Sequence, residues 1–285
     1  MELTGIGIWS SQLRYGDPSE SAAAAAELDE LGFAALWIPD VGGPVFDAVG
    51  RLLDATKRTV IATGILNLWM HSPADVAESY ADLTAERGDR FLLGIGVSHA
   101  PLIDAGEPGR YRKPLAATAS FLDGLDAAPR PVPAGHRVLA ALGPKMLALS
   151  ANRTRGAHPY LVTPEHTAAA RSVLGEGPLL LPEQTVILSD SAEEARRIGT
   201  DMLRSYLSMP NYANNLLRLG FSEEDVTQVS DRLFDAIIAW GDEEVILRRV
   251  AEHRAAGADH VCVQVLLDDP RAFPRAEWRR IAAAM

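Results

Sequence analysis

Cysteine is almost absent from the sequence, since Cys262 is the single one among 285 residues. One cysteine cannot form an internal disulfide, and no group of cysteines and histidines has the spacing of a zinc site. These absences argue against a disulfide-stabilised secreted domain and against a bound metal. We therefore expect a reducing compartment and a cytoplasmic protein.

Positive charge is also scarce. The chain has 27 Lys and Arg against 38 Asp and Glu, a formal net charge of -11. A nucleic-acid-binding protein would show a basic face and a membrane-surface protein a basic run, so both classes are disfavoured. No apolar stretch reaches the roughly 20 residues that span a bilayer. The N-terminus, MELTGIGIWSSQ, lacks the basic region and apolar core of a signal peptide.

The rest of the composition predicts a globular α/β protein. Hydrophobic residues make up 47% of the chain and charged residues 23%, which is enough for a full core. Eight short apolar runs alternate with helical segments. The strands that they predict are Leu3–Trp9, Phe33–Ile38, Thr59–Leu66, Arg90–Val97, Val138–Leu142, His158–Val162, Leu179–Leu188 and Ala258–Leu266.

This alternation is the pattern of a (β/α)8 barrel. The helices expected between the strands include Pro18–Leu31, Val45–Ala55 and Pro73–Arg87. An open doubly wound sheet is the alternative. Against a dinucleotide-binding sheet, no G-x-G-x-x-G follows the first strand, and Gly94-Ile95-Gly96 lacks the third glycine.

One interval interrupts the alternation. Residues 189–257 separate the last two strands and have the pattern of three or four helices. Ser191-x-x-Glu194 and Ser222-x-x-Asp225 resemble capping boxes there. We expect one domain, residues 1–285, with a helical insertion at about residues 190–241 that forms a lid, a substrate wall or a subunit contact.

Two strand-to-helix junctions have the same chemistry. Val138–Leu142 is followed by Gly143-Pro144-Lys145-Met146, and His158–Val162 by Thr163-Pro164-Glu165-His166. Proline suits the first position of a helix, and threonine is a good N-cap. Free N–H groups and the helix dipole at two adjacent helix starts can hold an anion. Ordinary strand-to-helix junctions are the alternative interpretation.

In a barrel, chemistry collects where the strands end. The polar and aromatic residues at the predicted strand ends are Trp9, Ser10, Asp40, Asn67, Trp69, His71, Ser98, His99 and Gln264. This set contains one carboxylate, so the pair used in glycoside hydrolysis is missing, and the chain has no Gly-x-Ser-x-Gly nucleophile motif. A site so short of acid and base groups suggests that an organic cofactor performs the chemistry.

Each of these residues also has a purely structural interpretation, and both interpretations stay open at this point. Asp40 is either functional or the cap of a turn, Trp69 is a substrate contact or packs at the rim, and His99 is functional or a solvated loop residue. His158 and His260 lie in apolar strands and are predicted to be core histidines whose hydrogen bonds are satisfied. His253, in a charged helix, is predicted to face solvent, and His166 to point at an anion or at water.

The motifs together resemble the luciferase-like superfamily of flavin and deazaflavin oxidoreductases, within it the branch that uses coenzyme F420. The resemblance covers nearly the whole chain. It rests on the order and spacing of GFAALWIPD, ATGILNLWMHSP, RFLLGIG, ALGPKMLALSA, GAHPYLVTPEHT, EQTVILSDSAEEAR and AGADHVCVQVL. It implies a (β/α)8 barrel with a helical insertion after the seventh strand, and a homodimer.

The resemblance also implies where the coenzyme binds. The ring would lie over the strand ends, against a non-prolyl cis peptide at Gly64-Ile65 and beside Gly96 and Val97. The phosphate would lie at the loops after the fifth and sixth strands. The residues implied there are Gly143, Pro144, Lys145, Met146, Leu161, Val162, Thr163 and His166. Asp40 matches a position close to the reactive carbon, and Trp9, Asn67 and Trp69 would contact the substrate.

The function that the resemblance implies is hydride transfer between C5 of coenzyme F420 and a small organic substrate, with Asp40 and His99 as acid–base candidates. Val41 after Asp40, and Ser98-His99 where a glutamate is expected, depart from the family pattern and leave the substrate open. The alternatives are an FMN-dependent monooxygenase of the same superfamily and a non-catalytic deazaflavin-binding barrel. A cofactor-free isomerase or lyase is disfavoured because carboxylates are few.

Overall fold

Short parallel strands form one curled sheet in residues 3–285, the part of the chain that the computed structural model describes. The strands are β1 (Ile6–Trp9), β2 (Ala35–Ile38), β3 (Val60–Thr63), β4 (Leu66–Asn67), β5 (Phe91–Gly96), β6 (Arg137–Leu139), β7 (Gly156–Ala157), β8 (Leu179–Leu180), β9 (Glu183–Ile187), β10 (Ala239–Trp240) and β11 (Val261–Val265). Most strand residues are buried, as expected for strands covered by helices on the outside.

The sheet returns on itself as a barrel. Pairing runs from β11 through β1, β2, β3, β5, β6 and β7 to β8, and β9 pairs with β11. Only Leu181 and Pro182 separate β8 from β9, so together these two form the seventh barrel strand. Pro182 has no N–H and interrupts the ladder, although its carbonyl still accepts the Cys262 N–H at 3.0 Å. The (β/α)8 barrel predicted from the sequence is confirmed.

The third predicted strand is also divided. β3 ends at Thr63 and β4 begins at Leu66, and the peptide bond between Gly64 and Ile65 is cis, as the resemblance implied. A Cβ atom on Gly64 would lie 2.8 Å from Nε1 of Trp9 and 3.1 Å from Nε2 of His158. Only glycine fits this position without displacing one of the two rings.

The sixth strand was predicted wrongly. Instead of His158–Val162, the strand is Gly156–Ala157, and the apolar residues that follow leave the ladder. Pro159 has no N–H to donate, and Leu161 has a left-handed φ of 57°. The fifth strand likewise ends at Leu139, before the predicted Leu142.

Helices cover the outside of the barrel. They are α1 (Gln12–Tyr15), α2 (Pro18–Glu30), α3 (Val45–Ala55), α4 (Pro73–Arg87), α5 (Ala100–Gly106), α6 (Pro114–Asp126), α7 (Pro144–Arg153), α8 (Pro164–Leu174), α9 (Ala192–Leu207), α10 (Pro210–Arg218), α11 (Glu223–Gln228), α12 (Asp231–Ile237), α13 (Glu243–Ala255) and α14 (Arg275–Ala284). Two short 3-10 turns, Leu68–Met70 and Ala134–His136, precede α4 and β6. None of the helices within residues 3–285 is long and apolar enough to cross a membrane.

Four of these helices, α9 to α12, lie between β9 and β10, where the sequence predicts an insertion. They share a hydrophobic cluster, with Leu203, Leu216 and Phe234 among its buried members, which also includes Leu161 and Ile187 of the barrel. Ser222 and Asp225 form the predicted capping box. Ser191 caps the N–H of Glu194, but the Glu194 carboxylate accepts from Ser189 rather than closing a box.

His253 is buried, so the prediction that it faces solvent is wrong. Its ring lies between α13, α8 and β9, with Nδ1 2.8 Å from the Thr167 hydroxyl and Nε2 3.0 Å from the Gln184 side-chain oxygen. Burial lowers its pKa to about 3. The charged neighbours of His253 misled the prediction, because they lie on other faces of the helix. His158 and His260 are buried as predicted, but Nε2 of His158 has no hydrogen-bond partner, so the hydrogen bonds of that ring are not all satisfied.

Candidate functional site

A cavity of about 520 Å³ lies at the carboxyl ends of the barrel strands. The loops after β1, β2, β3, β5, β6 and β7 form one side of it, and α9 and α10 form another. This volume lies in the range of small-molecule and cofactor sites. Its wall is largely apolar, and among the residues that line it in the described part of the chain none is Lys or Arg.

About half of the residues singled out from the sequence lie on this wall. They are Trp9, Asp40, Gly64, Ile65, Val97, His99, Gly143 and Met146. The others lie outside the lining; they are Asn67, Trp69, Gly96, Pro144, Lys145, Leu161, Val162, Thr163 and His166. Several of the second group hold members of the first in place. The Trp69 indole, for example, donates to the Val97 carbonyl at 2.8 Å.

The Asp40 carboxylate is buried and accepts hydrogen bonds from its own loop and from the segment Asn67–His71. Oδ2 accepts from Nε2 of His71 at 2.7 Å and from the Asn67 N–H at 3.2 Å, and Oδ1 accepts from the Gly42 N–H at 3.3 Å. Asp40 therefore caps a turn and lines the cavity at once. A carboxylate oxygen only accepts hydrogen bonds, so His71 donates through Nε2.

His99 lies across from the helical insertion. Nδ1 of the imidazole is 2.9 Å from Oδ1 of Asn211, and the ring centroid is 5.1 Å from that of Tyr212. Burial lowers the pKa of His99, and the hydrogen bond to Asn211 opposes this shift. The ring is therefore neutral at pH 7, which suits a group that accepts a proton.

The two helix starts predicted as an anion site lie side by side. Nε2 of His166, in the first turn of α8, donates to the Leu142 carbonyl just before α7 at 2.9 Å. Thr163 caps α8 as predicted, by accepting the His166 N–H at 3.4 Å. The ring N–H of His166 is thus directed at a carbonyl rather than at an anion or at water. Of the two starts, α7 reaches the cavity, through Gly143 and Met146, while Lys145 is exposed outside it.

Three tyrosines that the sequence did not single out form the wall opposite the barrel loops. Tyr160 follows β7, and Tyr206 and Tyr212 belong to α9 and α10. The Tyr160 hydroxyl donates to the Gln264 side chain at 2.7 Å and lies 3.2 Å from the Tyr206 hydroxyl. Burial raises the pKa of all three phenols, so they stay protonated at neutral pH. The sequence shows Tyr206 and Tyr212 in the insertion, but it does not show which helix face packs over the cavity.

A buried carboxyl group supports this wall from behind. Glu183 accepts the Leu161 N–H at 3.2 Å and the Thr185 hydroxyl at 2.6 Å. It thereby holds the left-handed turn at Leu161, directly after Tyr160. Burial raises the pKa of Glu183 to about 7. The sequence analysis missed it because Glu183 occupies a strand whose other residues are apolar or neutral.

Comparison with known proteins agrees with this architecture. Residues 3–128 match the family model described as luciferase-like monooxygenase. A protein of Mycobacterium tuberculosis named "Putative coenzyme F420-dependent oxidoreductase" is 22% identical, over 90% of this chain and 93% of the relative.

Two solved structures share the fold over nearly their whole length. An F420-dependent secondary alcohol dehydrogenase in complex with an F420–acetone adduct superposes with a TM-score of 0.76 at 14% identity, covering 100% of this chain and 98% of that one. The oxygenating constituent of 3,6-diketocamphane monooxygenase of Pseudomonas putida, in complex with FMN, gives 0.70 at 13% identity, covering 98% and 96%.

The fold is that of a (β/α)8 barrel with a cavity at the carboxyl ends of its strands, and residues 3–128 resemble the luciferase-like monooxygenase family. The resemblance stated from the sequence is confirmed, both for the luciferase-like family and for the likeness to its F420-dependent members.

Proposed function

We propose that this protein is a coenzyme F420-dependent oxidoreductase that transfers a hydride between C5 of the deazaflavin and a small organic substrate. The observation that carries the proposal is the composition of the cavity. It has the volume of a cofactor site, yet it has one carboxylate, Asp40, which already accepts three hydrogen bonds, and neither Lys nor Arg. Such a wall supplies binding and orientation but no redox chemistry of its own.

The residues present fit a flat ring. Ile65, Val97 and Ala140 offer apolar surfaces on one side, and a side chain at Gly64 would displace Trp9 or His158. A Cβ on Gly143 would meet no atom within 4 Å, so its backbone is open to approach. When bound, the deazaflavin would supply the carbon that gives or takes the hydride. The relative from Mycobacterium tuberculosis supports the choice of this coenzyme.

The roles of individual residues follow from where they lie. Gly64, Ile65 and Val97 would hold the ring, with Gly96 directly behind Ile65. Gly143 and Met146 would contact the side chain of the coenzyme, with Pro144 and Lys145 at its outer end. Leu161, Val162, Thr163 and His166 would act indirectly, by fixing the two helix starts. Asp40 would orient the coenzyme or substrate, and Trp9 would contact the substrate.

Titration of the purified protein with coenzyme F420 and with FMN, read by quenching of coenzyme fluorescence, tests the proposal. We expect saturable binding of coenzyme F420 that is stronger than binding of FMN. The Gly64→Ala variant, in which the new methyl group intrudes beside Trp9, should bind more weakly. Absence of coenzyme F420 binding to the folded wild-type protein would overturn the proposal.

An FMN-dependent monooxygenase is the second candidate. It is favoured by the family model, described as a monooxygenase, and by the similar fold of the FMN-bound Pseudomonas putida protein. It predicts a yellow, FMN-loaded preparation and oxygen consumption with reduced flavin. A non-catalytic deazaflavin-binding barrel predicts coenzyme binding without turnover on any substrate. A homodimer, implied by the resemblance, would be tested by sedimentation equilibrium.

A further inference from the structure

His99 and Asn211 come from parts of the chain that meet only in the folded protein. His99 precedes α5, in the loop after β5, and Asn211 lies in the first turn of α10, in the helical insertion. Both side chains line the cavity. The 2.9 Å contact between Nδ1 of His99 and Oδ1 of Asn211 joins the barrel side of the cavity to the insertion side.

This contact fixes the tautomer of the imidazole. An amide oxygen only accepts hydrogen bonds, so Nδ1 of His99 must carry the proton and donate it. In a neutral imidazole the other nitrogen is then an acceptor with a free lone pair. The pKa of His99 is lowered by burial, which keeps the ring neutral near pH 7. Asn211 and Tyr212, both from α10, contact the ring.

Other polar groups on the wall are less able to take a proton. Asp40 accepts three hydrogen bonds from Gly42, Asn67 and His71. His158 donates through Nδ1 to the Leu181 carbonyl at 2.7 Å, and its Nε2 has no partner, but burial lowers the pKa of His158 to about 4, so the ring takes up a proton poorly. The tyrosines are held as phenols, since burial raises their pKa values. His99 also lines the cavity and is only partly buried, so its Nε2 is the more accessible of the two free ring nitrogens.

We propose that Asn211 is a positioning residue that sets Nε2 of His99 as the proton acceptor for the hydroxyl group of an uncharged alcohol, and as the proton donor when the carbonyl compound is reduced. The absence of Lys and Arg from the described lining argues for the uncharged substrate. The proposal rests on the proposed function for the hydride partner, but the state of the His99 ring does not depend on it.

The step is balanced. Oxidation of the alcohol would break one C–H bond, whose hydride the bound coenzyme would accept, and one O–H bond, whose proton Nε2 of His99 would take. The carbon–oxygen double bond would form, and the Nδ1–H group of His99 would keep its hydrogen bond to Oδ1 of Asn211 throughout. Reduction reverses each transfer. An acid–base group of this kind contributes about 100- to 10,000-fold to a rate.

The first test uses the protein without coenzyme. The ¹⁵N chemical shifts of the His99 ring, assigned by comparison with a His99→Gln variant, report which nitrogen is protonated. We expect the Nδ1–H tautomer in the wild type and a shift toward Nε2–H in Asn211→Leu. Asn211→Asp keeps the acceptor and adds a negative charge, so it should raise the pKa of His99. Asn214→Leu, an exposed change on the same helix, is the matched control and should leave both signals unchanged.

The second test uses reduction of coenzyme F420 by a panel of short secondary alcohols. We expect Asn211→Leu to lower kcat by about 10- to 100-fold while the coenzyme Kd stays unchanged. Asn211→Asp should move the acid limb of the pH–kcat profile to higher pH. An Nε2–H tautomer in the wild type, or equal losses in Asn211→Leu and Asn214→Leu, would overturn the inference. Failure of coenzyme F420 to bind would instead overturn the proposed function. The ¹⁵N shifts of the His99 ring would then still decide whether Asn211 sets its tautomer.

Discussion

Nε2 of His71, in the loop that follows the divided third strand, lies 2.7 Å from Oδ2 of Asp40. The side chain of Asp40 is completely buried, whereas that of His71 is 19% exposed. The pair therefore connects a carboxylate on the cavity wall to a ring that reaches solvent. A buried carboxylate retains its position only if its oxygens are satisfied, and here Gly42, Asn67 and His71 provide the donors.

Replacement of Asp40 by alanine should destabilise the protein by about 1–3 kcal/mol, because the N–H groups of Asn67 and Gly42 and the ring of His71 lose their acceptor. Urea denaturation measures this free energy of unfolding. Asp47→Ala removes an exposed carboxylate from the nearby α3 and should change stability by less than about 0.5 kcal/mol. Equal effects of the two variants would contradict the assigned role of Asp40.

Gly64 and Gly143 both line the cavity but should tolerate a methyl group differently. Gly64→Ala should lower the free energy of unfolding by about 1–3 kcal/mol, because its Cβ would lie 2.8 Å from Nε1 of Trp9. Gly143→Ala has open space at the same atom and a φ of -97°, so it should be nearly neutral. Thermal unfolding of the two variants side by side would show the contrast, and a destabilised Gly143→Ala would be evidence against it.

Buried neutral histidines should make stability rise with pH in the acid range. Burial lowers the pKa of His158 to about 4 and those of His253 and His260 to about 3. Between these values and the usual pKa near 6.5, the unfolded chain binds protons that the folded protein does not, so unfolding is favoured as pH falls. Each such histidine costs about 1.4 kcal/mol per pH unit in that window. Urea denaturation at pH 4.5, 5.5 and 6.5 measures the slope.

His253→Gln removes one buried titrating ring and should reduce that slope by about 1.4 kcal/mol per pH unit. Glutamine can still contact Thr167 and Gln184, so the variant should remain folded. A stability that is flat or declining between pH 4.5 and pH 6.5 would be incompatible with the buried, uncharged rings.

Glu183 should act in the opposite direction. Its folded-state pKa is raised to about 7 from 4.5, so its contribution is fully present below pH 4.5 and is lost as pH rises toward 7. Glu183→Gln removes this loss, and the variant should gain on the wild type by about 1.4 kcal/mol per pH unit across the window. Glu176→Gln, at an exposed loop position, is the control. Parallel stability curves for wild type and Glu183→Gln would refute a neutral carboxyl group.

Much of the barrel could be predicted because its signals are local. The bounds of α3 and α4, Val45–Ala55 and Pro73–Arg87, coincide with the predicted ones, since Pro44 and Pro73 lie at their starts and Gly88 ends α4. The strands were placed correctly in order but too long, because apolar composition continues beyond the ladder. Strand pairing is interrupted at Pro182 and does not extend to the left-handed turn at Leu161, although the sequence stays apolar at both places.

The site could be predicted on the barrel side alone. Asp40, Ile65, Val97 and His99 follow strands, and parallel strands bring their carboxyl ends to one rim. The face of a helix that docks on a distant rim depends on tertiary packing, so Asn211 and the tyrosines of the insertion carried no comparable signal. The same limitation explains the error at His253.

The hydrophobic cluster of α9 to α12 packs the insertion against Leu161 and Ile187 of the barrel, so two different parts of the chain line the cavity. Substitutions on the turns of α9 and α10 that line the cavity would change which substrates enter it. The strand ends of the barrel would still bind the proposed coenzyme. Substrate preference should therefore change mainly through substitutions in α9 and α10, while the residues at the strand ends of the barrel stay the same.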